Sequence, residues 1–428
     1  MMERVRNNVT CPFCGLLCDD IKVRVSDDGL DIPDVSCVRA KQGFTIDESL
    51  GVSPRVGGKS VSYEEAMGAC VDIVKASKRP LWGGMAGGMS SVKRMVSLAE
   101  RSGGVIDHAG GDAYSAQVRA VQEKGWFTGT ASELGNRTDV VVLLGELTDW
   151  RMRRLFERYI WRKEAIFSDR LKKRRVMFVG ESWSNDWVDT PSGHSLEHIK
   201  VARADFPSCM GALRLLWAGQ PVPPSLAESV PMKALERVIE SLRQCSYGAI
   251  VWDVSALVKA YGEEEASSLV SSFARWTQEM NRDIRMIGFP LGGDGNIVGA
   301  GQIAMWQSGF PLRISYEKDG PHYDRKRFAT RVLLEEKAVD ALIWLSVFNQ
   351  DIVPPSLKGS IPSIVIGRQD LALQEEPSVF LPVKITGVHE KGVAVRLDSV
   401  VSLPLHQLYE SPLRSSVELL DGIREALG

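Results

Sequence analysis

Four cysteines near the start of the chain, Cys11, Cys14, Cys18 and Cys37, constrain its folding more than any other feature. Their spacing is C-x2-C-x3-C-x18-C, so three thiols lie close in sequence and the fourth is distant. Such a set can surround one point tetrahedrally, which is how a chain holds a [4Fe–4S] cluster or a structural zinc ion. The x3 gap differs from the paired spacing of most zinc sites and favours the cluster.

A disulfide, or a set of unrelated buried thiols, is the alternative interpretation of these cysteines. Disulfides persist mainly in exported proteins. The first ten residues, M-M-E-R-V-R-N-N-V-T, lack the apolar run of a signal peptide. We therefore expect a cytoplasmic protein with reduced thiols. The remaining cysteines, Cys70, Cys209 and Cys245, are scattered and are expected in the core.

Size and charge exclude several classes of protein. A chain of 428 residues is too long for one core, so several domains are expected. The net charge of -2 gives no general attraction to nucleic acid or to an anionic membrane. No stretch approaches the roughly 18 consecutive apolar residues of a membrane-spanning helix. We therefore expect neither nucleic-acid nor membrane partners.

From about residue 62 onward, short apolar runs alternate with segments of helical period. Ser62 and Glu65 have the spacing of a helix N-cap, and residues 90–102 also follow a helical period. The apolar runs occupy residues 80–84, 140–144, 176–179, 249–252, 283–288, 341–345 and 361–366. This alternation predicts an α/β fold of doubly wound parallel sheets behind a small N-terminal cysteine-ligated unit.

Two glycine-rich loops each follow a predicted strand. They read G-G-M-A-G-G at 83–88 and G-G-D-G-N-I-V-G-A-G at 292–301. Loops at the carboxyl ends of strands expose backbone N–H groups and suit phosphate or pyrophosphate. Neither loop matches the dinucleotide fingerprint, and glycine-rich turns without a ligand are common.

The stretch from Arg151 to Arg175 is rich in basic residues, with R-M-R-R near its start and K-K-R-R at its end. Leu155, Tyr159 and Trp161 are interleaved with them, which predicts an amphipathic helix with a cationic face. A solvated surface is the favoured interpretation of this face. The alternative is an anion site or a contact with an acidic partner.

Four further stretches occur in a recognisable order along nearly the whole chain. They are C-P-F-C-G-L-L-C-D-D at 11–20, N-R-T-D-V-V-V-L-L-G at 136–145, N-I-V-G-A-G-Q-I-A-M-W-Q-S-G-F-P at 296–311 and H-E-K-G-V-A-V-R-L-D at 389–398. Together they resemble the B subunits of formylmethanofuran dehydrogenases, a family of the molybdopterin oxidoreductase superfamily. That family couples CO2 reduction to the formylation of methanofuran.

The resemblance implies a cofactor set. Cys11, Cys14, Cys18 and Cys37 would ligate one [4Fe–4S] cluster. A tungsten or molybdenum bis-pterin guanine dinucleotide would run along the two glycine-rich loops. The implied cofactor-binding residues are Gly83, Gly84, Gly292, Gly293, Asn296 and Gly299.

Two departures from the family pattern argue against a bound metallopterin. The redox family places a metal-ligating cysteine or selenocysteine directly before a histidine, whereas this chain has Asp107 followed by His108. A carboxylate is a hard oxygen donor and does not reproduce a soft thiolate. Gly292 also stands where the family has an active-site arginine. Asp107 and His108 are therefore vestigial candidates and not catalytic residues, and His108 fits a core histidine equally well.

A bacterial branch of the family forms a formyltransferase/hydrolase complex, which moves a formyl group from tetrahydromethanopterin to methylofuran and hydrolyses it to formate. Its chemistry occurs on an amidohydrolase-like A subunit and a formyltransferase-like D subunit, accompanied by a C subunit. The resemblance implies that this chain is their non-redox scaffold, the B subunit. In such a complex the basic stretch 151–175 would either receive the glutamate-rich tail of methylofuran or contact a partner subunit. The alternatives are an active tungsten or molybdenum subunit, and an unrelated iron–sulfur or zinc module.

The resemblance also implies interleaved domains. We expect a cysteine unit of the iron–sulfur type at 1–60, the first part of an α/β domain at 61–135 and a Rossmann-like α/β domain at 136–280. Residues 281–428 would form an α/β domain that completes the pterin-slot region.

Overall fold

The computed structural model of the protein describes residues 4–26, 29–46, 53–162, 164–167, 174–183 and 195–428. The strands in these ranges are β1 (Arg4–Val9), β2 (Ile21–Ser26), β3 (Gly29–Asp31), β4 (Arg55–Val56), β5 (Lys59–Ser60), β6 (Pro80–Ala86), β7 (Val105–Ile106), β8 (Val140–Leu144), β9 (Arg175–Gly180), β10 (Ser195–Lys200), β11 (Tyr247–Asp253), β12 (Arg285–Leu291), β13 (Ile314–Glu317), β14 (Gly320–Tyr323), β15 (Ala341–Ser346), β16 (Ser363–Gly367), β17 (Val379–Pro382), β18 (Gly392–Val395) and β19 (Ser402–Leu405).

The α-helices in the same ranges are α1 (Val38–Phe44), α2 (Tyr63–Ala76), α3 (Met89–Arg101), α4 (Gly111–Lys124), α5 (Ala131–Arg137), α6 (Asp149–Leu155), α7 (Phe206–Trp217), α8 (Pro224–Ala227), α9 (Met232–Arg243), α10 (Val254–Tyr261), α11 (Glu263–Met280), α12 (Ile297–Ser308), α13 (Thr330–Glu335) and α14 (Ser416–Leu427). A π-helical turn, Phe156–Ile160, follows α6 directly. None of the described helices is both long and apolar enough to cross a membrane.

The chain divides into two compact units. Unit 1 consists of Met1–Gly111 and Gly293–Gly428, and unit 2 of Asp112–Gly292, so unit 2 is inserted into the sequence of unit 1. The four domains that the resemblance implies stay a prediction.

Unit 2 is built on a parallel sheet in the order β10-β9-β8-β11-β12. All five residues of β8 are buried, as expected for a Val-rich strand covered on both faces. Val142 pairs with Ile250 on one side and Met177 on the other, and all three belong to the core with Trp252 and Phe273. The predicted strand at 140–144 is confirmed.

Unit 1 contains a mixed sheet in the order β14-β13-β7-β6-β15-β16-β17-β4-β5. Strands β7, β6, β15, β16 and β17 run parallel, and β6, β15 and β16 contain the predicted apolar runs. The prediction of purely parallel sheets is wrong at the edges, where β13–β14 and β4–β5 form antiparallel hairpins. These strands are two to four residues long, too short to show a periodic pattern.

Local signals in the sequence set the helices that cover this sheet. The Ser62 side chain accepts a hydrogen bond from Glu65 N at 3.1 Å, so α2 begins where the capping pattern predicted. Helix α3 spans Met89–Arg101, which confirms the helical period of residues 90–102. Separate from this sheet, β1, β2 and β3 form a small antiparallel sheet, and β18 pairs with β19.

Candidate functional site

The four cysteines lie in two buried segments of unit 1. Cys11, Cys14 and Cys18 belong to the turn between β1 and β2, and Cys37 immediately precedes α1. Each is between 5% and 7% exposed. Backbone hydrogen bonds close the turn, from Cys11 N to Cys18 O at 2.8 Å and from Leu17 N to Cys14 O at 3.1 Å. Three of the predicted ligands therefore share one short, closed and buried loop.

The Cys11 thiol lies within electrostatic range of the other three thiols. Burial raises the pKa of the Cys11 thiol well above its usual range, and the neighbouring Cys14, Cys18 and Cys37 raise it further. Thiols bind metals as thiolates, so a bound cation offsets both effects. Four buried thiols at close range fit a tetrathiolate metal group.

A second group of candidate ligands lies on the surface. Among the described residues, the exposed Glu317, Asp319 and His322 have all their donor atoms within 4.8 Å of one another. Exposed acidic groups of this kind are common without a bound ion, and none of the predicted metal ligands belongs to this set.

Asp107, which we predict to stand where the family has its metal-ligating thiolate, follows β7 and is 2% exposed. Its Oδ1 accepts from His108 N at 2.8 Å and from Arg313 Nε at 3.3 Å. Its Oδ2 accepts from Thr330 N and from Thr330 Oγ1, both at 2.8 Å. An ionised carboxylate has about four acceptor positions. Four hydrogen bonds from the protein occupy these positions, so none is left for a metal ion.

Both ring nitrogens of His108 are also hydrogen-bonded within the protein. The residue is 2% exposed; its Nδ1 accepts from Gly110 N at 2.9 Å, and its Nε2 lies 3.1 Å from Gly295 O. Because a carbonyl can only accept, Nε2 carries the proton and the ring is neutral. Burial lowers the pKa of His108 to about 4, partly opposed by the bond to Gly295. The side chain is a buried, hydrogen-bonded histidine.

The glycines of the first loop lie in β6, against the neighbouring strand β15. A Cβ on Gly83 would lie 2.9 Å from the Trp344 ring. A Cβ on Gly84, which has a φ of +73°, would lie 2.6 Å from Leu345 O. The absence of side chains here is therefore required by strand packing. Their assignment to a cofactor stays a prediction.

The residues of the second loop also make contacts inside the protein. Asn296 is 3% exposed; its Nδ2 donates to Gly87 O at 3.0 Å, and its Oδ1 accepts from Val395 N at 2.9 Å. A Cβ on Gly299 would lie 2.5 Å from Asn296 Oδ1. The side chain of Asn296 thus joins two loops, and its predicted cofactor role is untested.

Gly292 and Gly293 differ from each other in their surroundings. A Cβ on Gly293, which has a φ of +83°, would lie 2.8 Å from Gly15 Cα in the cysteine turn. Gly292 directly follows β12, and its Cβ position has no heavy atom within 4 Å. Gly293 is therefore needed for a close backbone approach, whereas Gly292 has open space around it and only its φ of +148° favours glycine.

The predicted cationic stretch 151–175 includes residues outside the described ranges, namely 163 and 168–173. Arg151 forms a buried ion pair with Asp253, in which both side chains are 0% exposed. Arg154 is 9% exposed and donates to Glu157 at 2.8 Å. The prediction of a solvated cationic face is wrong for these two arginines.

Arg174, at the far end of the same stretch, is 3% exposed. Its guanidinium donates to backbone carbonyls at the ends of α5 and the π-helical turn: Thr138 O at 2.8 Å, Tyr159 O at 2.9 Å, Gly135 O at 3.0 Å, Leu134 O at 3.3 Å and Ile160 O. Burial lowers the pKa of Arg174 to about 10. The arginine stabilises carbonyl ends that helices leave unsatisfied, and it is not available to a carrier tail.

No protein-family model matches the chain. The B subunit of the tungsten-containing formylmethanofuran dehydrogenase 2 of Methanococcus maripaludis is 24% identical over 422 residues, which cover 95% of each chain. The protein of the same name from Methanocaldococcus jannaschii is 22% identical, over 96% of this chain and 95% of its own. The B subunit of the formyltransferase/hydrolase complex Fhc of Methylorubrum extorquens is 23% identical, over 68% of this chain and 74% of its own. These homologues are all B subunits.

The crystal structure of the formyltransferase/hydrolase complex (FhcABCD) from Methylorubrum extorquens with methylofuran contains a chain of the same fold. The match has a TM-score of 0.73 at 20% identity, and it covers 88% of this chain and 98% of that chain. The resemblance to the B-subunit family and the mixed α/β fold with parallel sheets are thereby confirmed.

Sequence reasoning singled out Asp107 as a departure from the B-subunit family but missed its partners. Arg313 and Thr330 lie more than 200 positions away, and neither belongs to a motif. A buried carboxylate requires compensating donors, but no local pattern shows which distant residues supply them.

Proposed function

We propose that this chain is the B subunit of a formyltransferase/hydrolase complex in one-carbon metabolism linked to tetrahydromethanopterin and methylofuran. In this proposal the complex transfers a formyl group and hydrolyses it to formate, and the B subunit is its non-redox scaffold. The observation that carries the proposal is the saturated Asp107 carboxylate, at the position of the redox family's metal-binding thiolate. Homology to B subunits along 95% of the chain supports membership of a heteromeric complex.

A metal at Asp107 would have to displace hydrogen bonds that the protein already makes. Displacing Arg313 would leave a guanidinium that is 2% exposed without its counter-ion. Breaking a buried ion pair in this way costs about 3–5 kcal/mol. The oxygen donor gained is also a poor substitute for a soft thiolate. The alternative, an active tungsten or molybdenum formylmethanofuran dehydrogenase subunit, is not favoured.

The glycine-rich loops support the same conclusion. Gly83 and Gly84 are packed against β15, and the side-chain amide of Asn296 is hydrogen-bonded to Gly87 and Val395. These residues therefore offer a pterin dinucleotide neither open space nor an unbonded side-chain amide. We therefore assign no step of the proposed function to a metallopterin.

For the four cysteines we propose a [4Fe–4S] cluster, with a structural zinc ion as the alternative. The C-x2-C-x3-C-x18-C spacing supports the cluster. Five of the six residues of β1 are exposed, so the β1–β3 sheet has little core of its own. A group bound to Cys11, Cys14, Cys18 and Cys37 would cross-link this sheet to the start of α1, and this structural role needs no electron partner.

We also propose that the two units follow the doubly wound architecture of the molybdopterin oxidoreductases, with the cysteine unit at the N-terminus. The strand order β10-β9-β8-β11-β12 supports this for unit 2. Strands β9 and β10 lie on one side of β8, and β11 and β12 lie on the other, so the strand order switches direction beside β8. In open α/β sheets such a point often binds a ligand. Here Arg151 and Asp253 fill this position with a buried ion pair.

The partners in this proposal are an amidohydrolase-like A subunit, a C subunit and a formyltransferase-like D subunit. The test is to co-express the four chains, purify them through a tag on this chain, and assay two reactions. The proposal predicts that the A, C and D subunits copurify with it in fixed ratio. It also predicts formate release from the formylated carrier, without formate-dependent reduction of a viologen dye.

Two results would count against the proposal. Purification of this chain without the A, C and D subunits would show that it does not form the proposed complex. Viologen-linked formate oxidation by the purified complex would show that the redox alternative is correct.

A further inference from the structure

The turn that carries Cys11 and Cys14 is anchored by a side chain from a distant part of the sequence. Asn349 Nδ2 donates a hydrogen bond to Phe13 O at 3.1 Å. Both residues are buried, with exposed fractions of 3% and 1%. Because Phe13 directly precedes Cys14, this bond fixes the peptide group between two predicted ligands.

Asn349 lies three residues beyond the end of β15, and hydrogen bonds to the two residues before it hold this segment in place. Val347 N donates to Ala86 O at 2.7 Å, which ties the segment to β6. Arg368, which is 0% exposed, donates through Nη1 to Phe348 O at 2.7 Å. The asparagine is thus held from both sides by the central strands of unit 1.

The other polar atom of this amide behaves differently. Within the described residues, Asn349 Oδ1 is buried without a hydrogen-bond partner, whereas both polar atoms of Asn296 are bonded. A buried acceptor without a donor is costly. The contribution of Asn349 that the structure shows is therefore its donation to Phe13.

Two further contacts hold Gly15, the residue after Cys14. Leu397 N donates to Gly15 O at 2.9 Å, and Gly293 closely approaches Gly15 Cα. Both contacts involve only the backbone at Gly15. Asn349 differs because its bond depends on side-chain identity, and substitution can remove it without altering the chain path elsewhere.

We propose that Asn349 is a positioning residue for the metal group at Cys11, Cys14, Cys18 and Cys37. It acts through Phe13 and does not touch the metal. This inference rests on the metal group that is part of the proposed function. Residues that orient metal ligands from behind typically contribute about 10–100-fold to metal affinity, and an effect of this size is expected here.

The test uses the full chain in its complex, reconstituted anoxically with Fe²⁺ and sulfide, and measures the rate of iron loss to a ferrous chelator. Asn349→Leu keeps the shape but removes the donor, and we expect iron loss about 10–100 times faster than in the unaltered chain. Asn349→His should restore slow loss, because imidazole Nδ1 occupies the same position as the amide nitrogen. A cavity of about 290 Å³ borders Asn349 and gives space for the ring.

Asn281→Leu provides the matched control. Asn281 lies in unit 2, and its amide donates to Thr277 O and Met286 O, both at 2.8 Å. This variant should lower the melting temperature but leave iron loss unchanged. The inference would be overturned by equal rates of loss from Asn349→Leu and the unaltered chain, or by a chain that takes up no iron. Copurification of the A, C and D subunits is scored separately, so failure of the complex is distinguishable from failure of this inference.

Discussion

Asp107 and Arg313 form a buried ion pair at the end of a strand ladder. Ile106 of β7 pairs with Ile314 of β13, and the two charged residues are the next ones along, with Arg313 Nε 3.3 Å from Asp107 Oδ1. Arg313 has a φ of +74°, which residues with a side chain seldom adopt. Arg313 therefore combines an unusual backbone conformation with the contact to the buried carboxylate. This pairing makes Asp107 part of the protein's internal structure.

Asp107→Asn should be strongly destabilising, because it removes the counter-ion of a buried guanidinium. We expect the free energy of unfolding to fall by about 3–5 kcal/mol, measured by urea denaturation. Glu335→Gln is the control, since the Arg331–Glu335 pair is exposed on α13 and should contribute less than about 1 kcal/mol. Equal small losses in both variants would show that the Asp107 carboxylate is not buried and paired as described.

The stability of the protein should fall as the pH is lowered from about 6.5 to about 4, and His108 should account for part of this fall. The pKa of His108 in the folded protein is lowered to about 4, whereas the unfolded chain binds the proton near 6.5. The unfolded state therefore binds more protons in this window, so acid favours unfolding. The expected contribution is about 3 kcal/mol by pH 4.

His108→Gln should remove this part of the pH dependence, measured as melting temperature against pH. His322→Gln is the control, because His322 is exposed and pairs with Asp319. Retention of the full acid sensitivity in His108→Gln would contradict the assignment.

Seven of the 19 described strands could be predicted from the sequence, because buried parallel strands read as continuous apolar runs. The run at 140–144 coincides with β8, and the cap at Ser62 marks the start of α2. The buried positions of Arg151 and Arg174 could not be predicted, because the sequence around an arginine does not show whether solvent or protein groups surround its guanidinium. The contacts of Asp107 with Arg313 and of Phe13 with Asn349 join residues more than 200 positions apart, beyond the reach of any local pattern.

Cys14→Ser should disorder the N-terminal sheet and weaken assembly with the partner subunits. The variant would remove one ligand of the proposed metal group, and the exposed β1 contributes little burial in compensation. Limited proteolysis should show new cleavage within residues 1–60. Cys209→Ser is the control, since Cys209 is 0% exposed in the core of unit 2. An unchanged proteolysis pattern in Cys14→Ser would count against a structural metal group.

Arg174→Met should lower the melting temperature by several degrees, because it leaves buried carbonyls at two helix ends without a donor. The adjacent Arg175 supplies a matched control, as it is exposed at the start of β9. Arg175→Met should change stability by no more than about 0.5 kcal/mol. If the two variants have the same melting temperature, Arg174 does not stabilise these helix ends.

The central claim is that this chain is a non-redox B subunit, and elemental analysis of the native complex for tungsten, molybdenum, iron and zinc tests it most directly. The account predicts iron, or else zinc, bound to the four cysteines, with neither tungsten nor molybdenum in stoichiometric amount. Near-stoichiometric tungsten or molybdenum would contradict it, because a metallopterin would then be bound despite the hydrogen bonds that occupy Asp107.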